Sequence, residues 1–389
     1  MKAAILGAGV AGVSSAIALV QKGFDVEIFE RHETSATIGA GIVIWPNAAY
    51  VLEQLEVLDE IKQVSGQPSC MCRVSNNGEE LGAIDIRVIN QHMGYPSLSI
   101  LRRDLQNILI DRLESLGVHI QYGHTVIGID TGDNGDALVN FQSGECTTAD
   151  IIIGADGRMA SCAREYVMGD KTPIYQGFVN WIGVFESSEP CFTEAEIKDY
   201  WGTGERFGIV PVTPYTAYWA GGSAASEIGP RIREEYKKEL FDLFGEWPQP
   251  IQTIIEQTPT ERINKIFVHD HNPKPIWHRQ NVIAIGDAAH APLPTSGQGA
   301  CQALEDAWQL SNSLSLHSNN IALAFEHFTS LRFEKTTGII MAGRTLATSL
   351  FNPDEQFCKA RNEASKQTDY TAMAAAMAHG WSQHLPLNA

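Results

Sequence analysis

Between residues 286 and 310 the chain reads GDAAHAPLPTSGQGACQALEDAWQL. This run joins an acid at the end of an apolar stretch, two loop prolines and a glycine-flanked helix start. Asp287 closes NVIAIGD, where its carboxylate can accept hydrogen bonds from the hydroxyls of a polyol chain, with Gly286 before it. Pro292 and Pro294 restrict backbone φ and stiffen the loop. Gly297, Gln298, Gly299 and Ala300 then offer backbone N–H groups at the start of an amphipathic helix, where the macrodipole favours a negatively charged partner. His290 fits two roles, lining that binding site or donating the hydrogen bond that fixes the loop, and the second is favoured.

The amino-terminal stretch MKAAILGAGVAGVSSAIALVQKGFDVEIFE carries a complete dinucleotide-binding layout. An apolar strand runs into Gly7, Gly9 and Gly12, a helix of small residues follows, and a second strand ends at Glu30 with Arg31 behind it. The glycines provide a tight turn, close approach of backbone to a pyrophosphate, and close packing of helix on strand. Glu30 can accept both hydroxyls of an adenosine ribose and repels a 2′-phosphate, which leaves NAD or FAD. A dehydrogenase using NAD has no use for a second nucleotide-type unit near residue 287, whereas FAD needs one site for its ADP half and one for the ribityl chain and ring. The pair of motifs predicts FAD.

A third segment, ADIIIGADGRMASCAR, leads a buried strand into Gly154, Asp156 and Gly157, with Arg164 further on. In this order the three motifs, spanning residues 7 to 306, resemble the single-component flavoprotein aromatic hydroxylases of the para-hydroxybenzoate hydroxylase type. The resemblance implies that Asp156 and Gly157 touch FAD and a transient NAD(P)H, and that Gly286 and Asp287 meet the ribityl chain. In SILRRDLQ it marks Arg102, with Gln106 beside it, for the cofactor's phosphates or ribityl oxygens. The GAGIVIWP stretch, with Gly39, Gly41, Trp45 and Pro46, resembles the family's loop beneath the flavin ring. Many relatives have Asn where this chain has Cys301, which reads here as a small buried side chain on the helix's inner face.

The implied activity is a monooxygenase reaction: NAD(P)H reduces the flavin, dioxygen adds as a hydroperoxide at C4a, and the distal oxygen passes to an aromatic or heteroaromatic carbon. Water must be excluded throughout. Alternatives are a related epoxidase or halogenase, though the halogenase Trp-x-Trp-x-Ile-Pro signature is missing, and a non-catalytic flavin-binding redox sensor. The GFVNWIG stretch, the Glu205-Arg206 pair before Pro211-Val212, and GQGACQALEDA are similar to the FAD-dependent urate hydroxylase branch. There, an arginine and a tyrosine matching Arg206 and Tyr218 face the purine. By this reading Arg206 binds an acidic or enolate oxygen and Tyr218 bonds or deprotonates a ring hydroxyl; the other reading is a salt-bridged surface arginine and a packed sheet tyrosine. Urate-using relatives have an acid after the second loop proline; here the residue is Thr295, so another oxygenated heteroaromatic or a phenolic acid is equally compatible.

These groups require a scaffold of α/β class, with a Rossmann-like FAD-binding domain, an inserted antiparallel sheet for the substrate, and carboxy-terminal helices. Residues 1–68, 99–171 and 268–330 are expected to form the first, 69–98 and 172–267 the second, and 331–389 the third. RRDLQNILIDRLESLGVHIQY has helical periodicity before a β run, and VIGIDTGDNGDALVNFQSGECTTADIIIGADG reads as strands broken by Asn-Gly and Ser-Gly turns. FVNWIGVFE, RFGIVPV and TAYWAGG are aromatic-rich strands suited to walling a flat ring, and RIREEYKKELFDLFGEW is a helix. The alanine- and methionine-rich end is expected to dock on the surface or on another subunit, in a monomer or a homodimer.

At 389 residues the chain can bury two sizeable cores. A net charge of −18 argues against nucleic acid or anionic membrane as partners. Seven cysteines without paired Cys-x-x-Cys spacing predict reduced thiols in a cytoplasmic protein, and Cys70-x-Cys72 lacks a matching pair, so no metal site is expected. No signal-peptide pattern and no apolar run of about 18 residues is present.

Overall fold

The computed structural model describes residues 1–35, 40–132 and 136–387. Two sheets carry the architecture. The first has six strands in the order 278–279, 282–284, 151–154, 2–6, 25–29, 120–121, and is parallel apart from its 278–279 edge. Ala3 to Leu6 and Ile151 to Ile153 are fully buried, as expected of strands covered on both faces. The register aligns Leu6 with both Gly154 and Phe29, and Gly154 with Ala284. Three turns, at Gly7, at Asp156-Gly157 and at Gly286-Asp287, therefore leave the sheet side by side at its carboxyl end. Ligands bind at this edge in open α/β sheets, where strand order reverses direction about the first strand.

The second sheet has seven strands in the order 264–270, 174–186, 216–224, 205–213, 196–201, 70–75, 80–85. All neighbours are antiparallel except 196–201 with 70–75. One face packs against Tyr236–Phe244 and Ile251–Gln257 around Phe207, Trp219 and Phe244. The helix expected over 231–247 is shorter, a 3-10 turn at Arg233–Glu235 followed by Tyr236–Phe244. The opposite face turns toward the nucleotide unit. A two-stranded ribbon, Gly41–Ile44 with Leu98–Leu101, lies between the two large sheets.

Val126–Thr131, Ala137–Phe141 and Cys146–Thr147 form a small antiparallel sheet; the Ser-Gly turn at 143–144 lies within it, and the Asn-Gly turn at 134–135 lies outside the described residues. The 30-residue helix Ile321–Leu350 packs along Gly299–Leu316. Tyr370–Ser382, the alanine- and methionine-rich end, docks on the chain's own Ile86–Met93 helix and Glu80–Asp85 strand, burying Ala374 and Ala378. Among the described residues no helix is long and apolar enough to cross a membrane.

Candidate cofactor and substrate site

The glycine turn after the first strand separates its residues by what surrounds them. A Cβ on Gly7 would lie 2.4 Å from the Ala155 carbonyl oxygen, and one on Gly12 would lie 1.9 Å from the Gly7 oxygen. Both positions are closed by backbone. A Cβ on Gly9 would meet nothing within 4 Å. This leaves room above the start of the Val10–Gln21 helix, whose first N–H groups have no intrahelical partner. Gln106 Nε2 donates to the Ala8 carbonyl at 2.7 Å and braces the turn. Glu30 reaches back from the second strand to accept from Ala8 N at 2.9 Å and from His32 N at 3.0 Å. Arg102 begins the Arg102–Ser115 helix, and its exposed guanidinium makes no bond among the described residues. Arg31 is exposed beside His32.

Asp156 does not turn its carboxylate to the crevice; it accepts from Ser161 Oγ at 2.5 Å and Ala163 N at 3.2 Å, shaping the turn before the Cys162–Met168 helix, and burial raises its pKa. Gly157 adopts a positive φ of 81° with open space around it. Arg164 is buried and donates to the Ala288 and Ala289 carbonyls at 3.1 Å, tying the middle motif to the late one. A second tie went unread in the sequence: Arg158 donates to Asp287 Oδ2 through Nε at 2.9 Å and Nη2 at 2.6 Å. Gly286 is needed because a Cβ would sit 2.9 Å from Ala11 Cβ.

The late loop is anchored from behind. Pro294 opens a 3-10 turn, Gly297 closes it, and Trp45 Nε1 donates to the Gly297 carbonyl at 3.0 Å. Gly299 and Ala300 start the 18-residue helix with unpaired N–H groups. His290 takes the loop-fixing role: its Nε2 lies 2.6 Å from Asp306 Oδ2, both side chains buried. Asp306 also accepts from Gly286 N at 2.7 Å and from Arg332 Nε at 2.8 Å. Arg332 bonds Glu305 at 2.5 Å, Lys335 bonds Glu305 at 2.8 Å, and Asn47 bonds both Glu305 and Gln298. Burial alone would raise the Glu305 carboxyl, but Lys335 and Arg332 hold it below its usual range, so it stays ionised. None of Asn47, Glu305, Asp306, Arg332 or Lys335 was singled out from the sequence. The visible signal was two adjacent acids, Glu305 and Asp306, on a helix whose neighbours are apolar.

On the substrate sheet, Arg206 lies opposite Gly222 and Tyr218 opposite Val210, so both side chains project from the face turned toward the nucleotide unit. Arg206 Nε bonds Asp199 Oδ1 at 2.6 Å, and Trp201 Nε1 donates to Asp199 Oδ2 at 2.8 Å. Asp199, also missed in the sequence, thereby aims the guanidinium. Tyr218 lies over Gly41: a Cβ there would be 2.0 Å from Tyr218 Cδ1. Gly41 thus permits the contact between ribbon and sheet, while Gly39 lies outside the described residues. Burial, together with nearby Cys301, pushes the Tyr218 phenol up, so it is a neutral hydrogen-bond donor near pH 7 and not a resident base. Cys301 is fully buried beneath it, its own thiol pushed up to about 12 by burial. Thr295 Oγ1 donates to the Gly343 carbonyl at 2.8 Å. On the far face of the sheet, the Cys70-x-Cys72 pair that lacked a partner in sequence acquires one in space, Glu196.

These residues fit FAD. An open cradle at Gly9, an acid beside it, free N–H groups at Gly299 and Ala300, and a buried Gln298 Nε2 without a partner line the carboxyl edge of one sheet. The model of the FAD binding domain family matches residues 1–323. The FAD-dependent urate hydroxylase of Mycolicibacterium vanbaalenii is 30% identical, over 88% of this chain and 87% of its own. The aurachin C monooxygenase/isomerase of Stigmatella aurantiaca is 31% identical, over 86% of each. The crystal structure of Klebsiella pneumoniae HpxO complexed with FAD and uric acid matches with a TM-score of 0.89 and 26% identity, covering 98% of this chain and 97% of that one.

Proposed function

The chain belongs to the FAD binding domain family, and from that membership we propose that it is an NAD(P)H- and dioxygen-dependent monooxygenase that hydroxylates a small, oxygen-bearing heteroaromatic ring. When bound, FAD supplies the redox chemistry that accepts reducing equivalents and activates dioxygen. Gly7, Gly9, Gly12, Glu30, Arg102 and Gln106 would hold its adenosine and phosphate half; Asp287, Gly297, Gln298, Gly299 and Ala300 would hold the ribityl and ring half. The observation that carries the substrate reading is the meeting of Tyr218 with Gly41, which brings the Arg206 face of the sheet against the ribbon below the late loop.

On that face Tyr218 donates to a ring oxygen and stays protonated as it does so. Arg206, oriented by Asp199, pairs with an anionic oxygen of the same ring. Trp45 and Cys301, both buried, and the sheet itself would keep water from the ring. Urate, the ring named for the Mycolicibacterium relative, has the flat, oxygen-rich character this face suits. Thr295 directs its hydroxyl to Gly343 and offers no carboxylate, so the proposal is the ring class and not urate itself.

The test is NADH and NADPH oxidation by the FAD-loaded protein across purines, hydroxylated pyridines, quinolines and phenolic acids. Stimulation by at least one oxygenated heteroaromatic is expected. No stimulation by any ring in the panel would overturn the proposal and favour a flavin-binding sensor.

A further inference from the structure

Three donor atoms meet on the face of the seven-stranded sheet opposite Arg206. Cys70 and Cys72 stand two residues apart on one strand and so point to the same side. The neighbouring strand runs parallel, placing Glu196 opposite Cys70 and Lys198 opposite Cys72. The two sulfurs are 3.2 Å apart, Cys72 Sγ is 3.8 Å from Glu196 Oε2, and the three donor atoms all lie within 4.8 Å of one another. Each residue is half-buried, within reach of ions from solvent. Lys198 Nζ, 2.5 Å from Glu196 Oε2, supplies the positive charge now present. We propose that Cys70, Cys72 and Glu196 form a binding site for a thiophilic divalent cation of the Zn2+ or Cd2+ type, with water in the fourth position.

The distances suit such an ion. Tetrahedral Zn2+, with Zn–S about 2.3 Å and Zn–O about 2.0 Å, sets S···S at about 3.8 Å and S···O at about 3.5 Å. The Cys72–Glu196 separation is near that value already, and the sulfurs need to part by about 0.6 Å, a small side-chain rotation. A disulfide fits less well. Strand rise places the Cα atoms of residues i and i+2 about 6.6 Å apart, at the wide limit of disulfide geometry. Two sulfurs with a single carboxylate also disfavour Mg2+ and Ca2+, which require oxygen shells.

Binding releases both thiol protons to solvent, balances the cation's charge with two thiolates, and turns the Lys198 ammonium to water. Both thiols must give up their protons to bind the ion, so cation affinity falls as pH falls. The ion would tie the 70–85 hairpin to the strand that carries Asp199.

Titration of the FAD-loaded protein with Cd2+ tests the site, in a background where the exposed Cys146 and Cys191 are changed to Ser. The ultraviolet thiolate-to-cadmium absorption should saturate at one equivalent, be competed by Zn2+ and be unaffected by Mg2+. It should vanish in Cys70→Ser and Cys72→Ser proteins that keep their bound flavin spectrum. Glu196→Gln should bind at least about tenfold more weakly, and Lys198→Met more tightly, because the competing ammonium is gone. A purely structural cluster predicts no gain from Lys198→Met. Absence of the band in the parent protein, or its persistence in the Cys70→Ser/Cys72→Ser double variant, overturns the proposal.

Discussion

Gly9 and Gly12 are three residues apart and answer to different constraints, and this separates cofactor binding from folding. Alanine at 9 enters open space, whereas alanine at 12 drives a Cβ into the Gly7 carbonyl. Gly9→Ala should keep the melting temperature of the flavin-free protein within a degree or two while weakening FAD binding by about 100-fold or more, through loss of close backbone approach. Gly12→Ala should lower that melting temperature itself. Calorimetry paired with flavin titration distinguishes the two. Tyr218 is tested by alkali. Its phenol has a pKa above the ordinary 10.0 in the folded chain, so its contribution to stability is complete below that value and is lost as pH rises beyond it. Tyr218→Phe should therefore reduce the alkaline loss of stability above about pH 10. The same variant should lower kcat/KM for a hydroxylated ring by roughly tenfold, the worth of one hydrogen bond.

The Gly299–Leu316 helix presents its amino end to the crevice and its acids to Ile321–Leu350, so the cofactor-facing loop depends on a fully buried ion cluster. Arg332→Met leaves Glu305 and Asp306 short of a cation and should cost roughly 3–5 kcal/mol in unfolding experiments, with flavin affinity falling alongside. Burial would raise both carboxyls, but Lys335 and Arg332 around Glu305, and His290 and Arg332 around Asp306, hold them low. Folded values below unfolded ones give stability that is present above the ordinary carboxylate range and lost as pH falls through the depressed values. Acid denaturation of the parent protein should then begin only below about pH 4, and earlier in Arg332→Met. This cluster was invisible in the sequence for a physical reason. Its cations stand 26 to 30 residues from its acids on a different helix, and charged residues are presumed exposed until packing shows otherwise. Asp199 and Glu196 were missed similarly, because cross-strand pairing and not sequence spacing brings them to Arg206 and Cys72.

The molecule as a whole sets a parallel sheet, whose carboxyl edge gathers three glycine turns, against an antiparallel sheet that offers an arginine and a tyrosine. The turns were legible because each signal is local: a glycine spacing, an apolar strand before it, an acid after it. The alternating aromatic strands were legible for the same reason, their period of two. What escaped was relational, namely Asp156 turned inward to Ser161, Arg158 bridging to Asp287, and the ribbon at Gly41 beneath Tyr218. Convergence of both sheets on one ring is the central claim, and isotope tracing tests it most directly. The FAD-loaded protein, the most stimulatory ring compound and NAD(P)H are incubated under 18O2, and the product is examined by mass spectrometry. One labelled oxygen on the ring, formed in proportion to the reduced nicotinamide consumed, is the predicted result. Consumption of nicotinamide and dioxygen with the ring recovered unlabelled would contradict it.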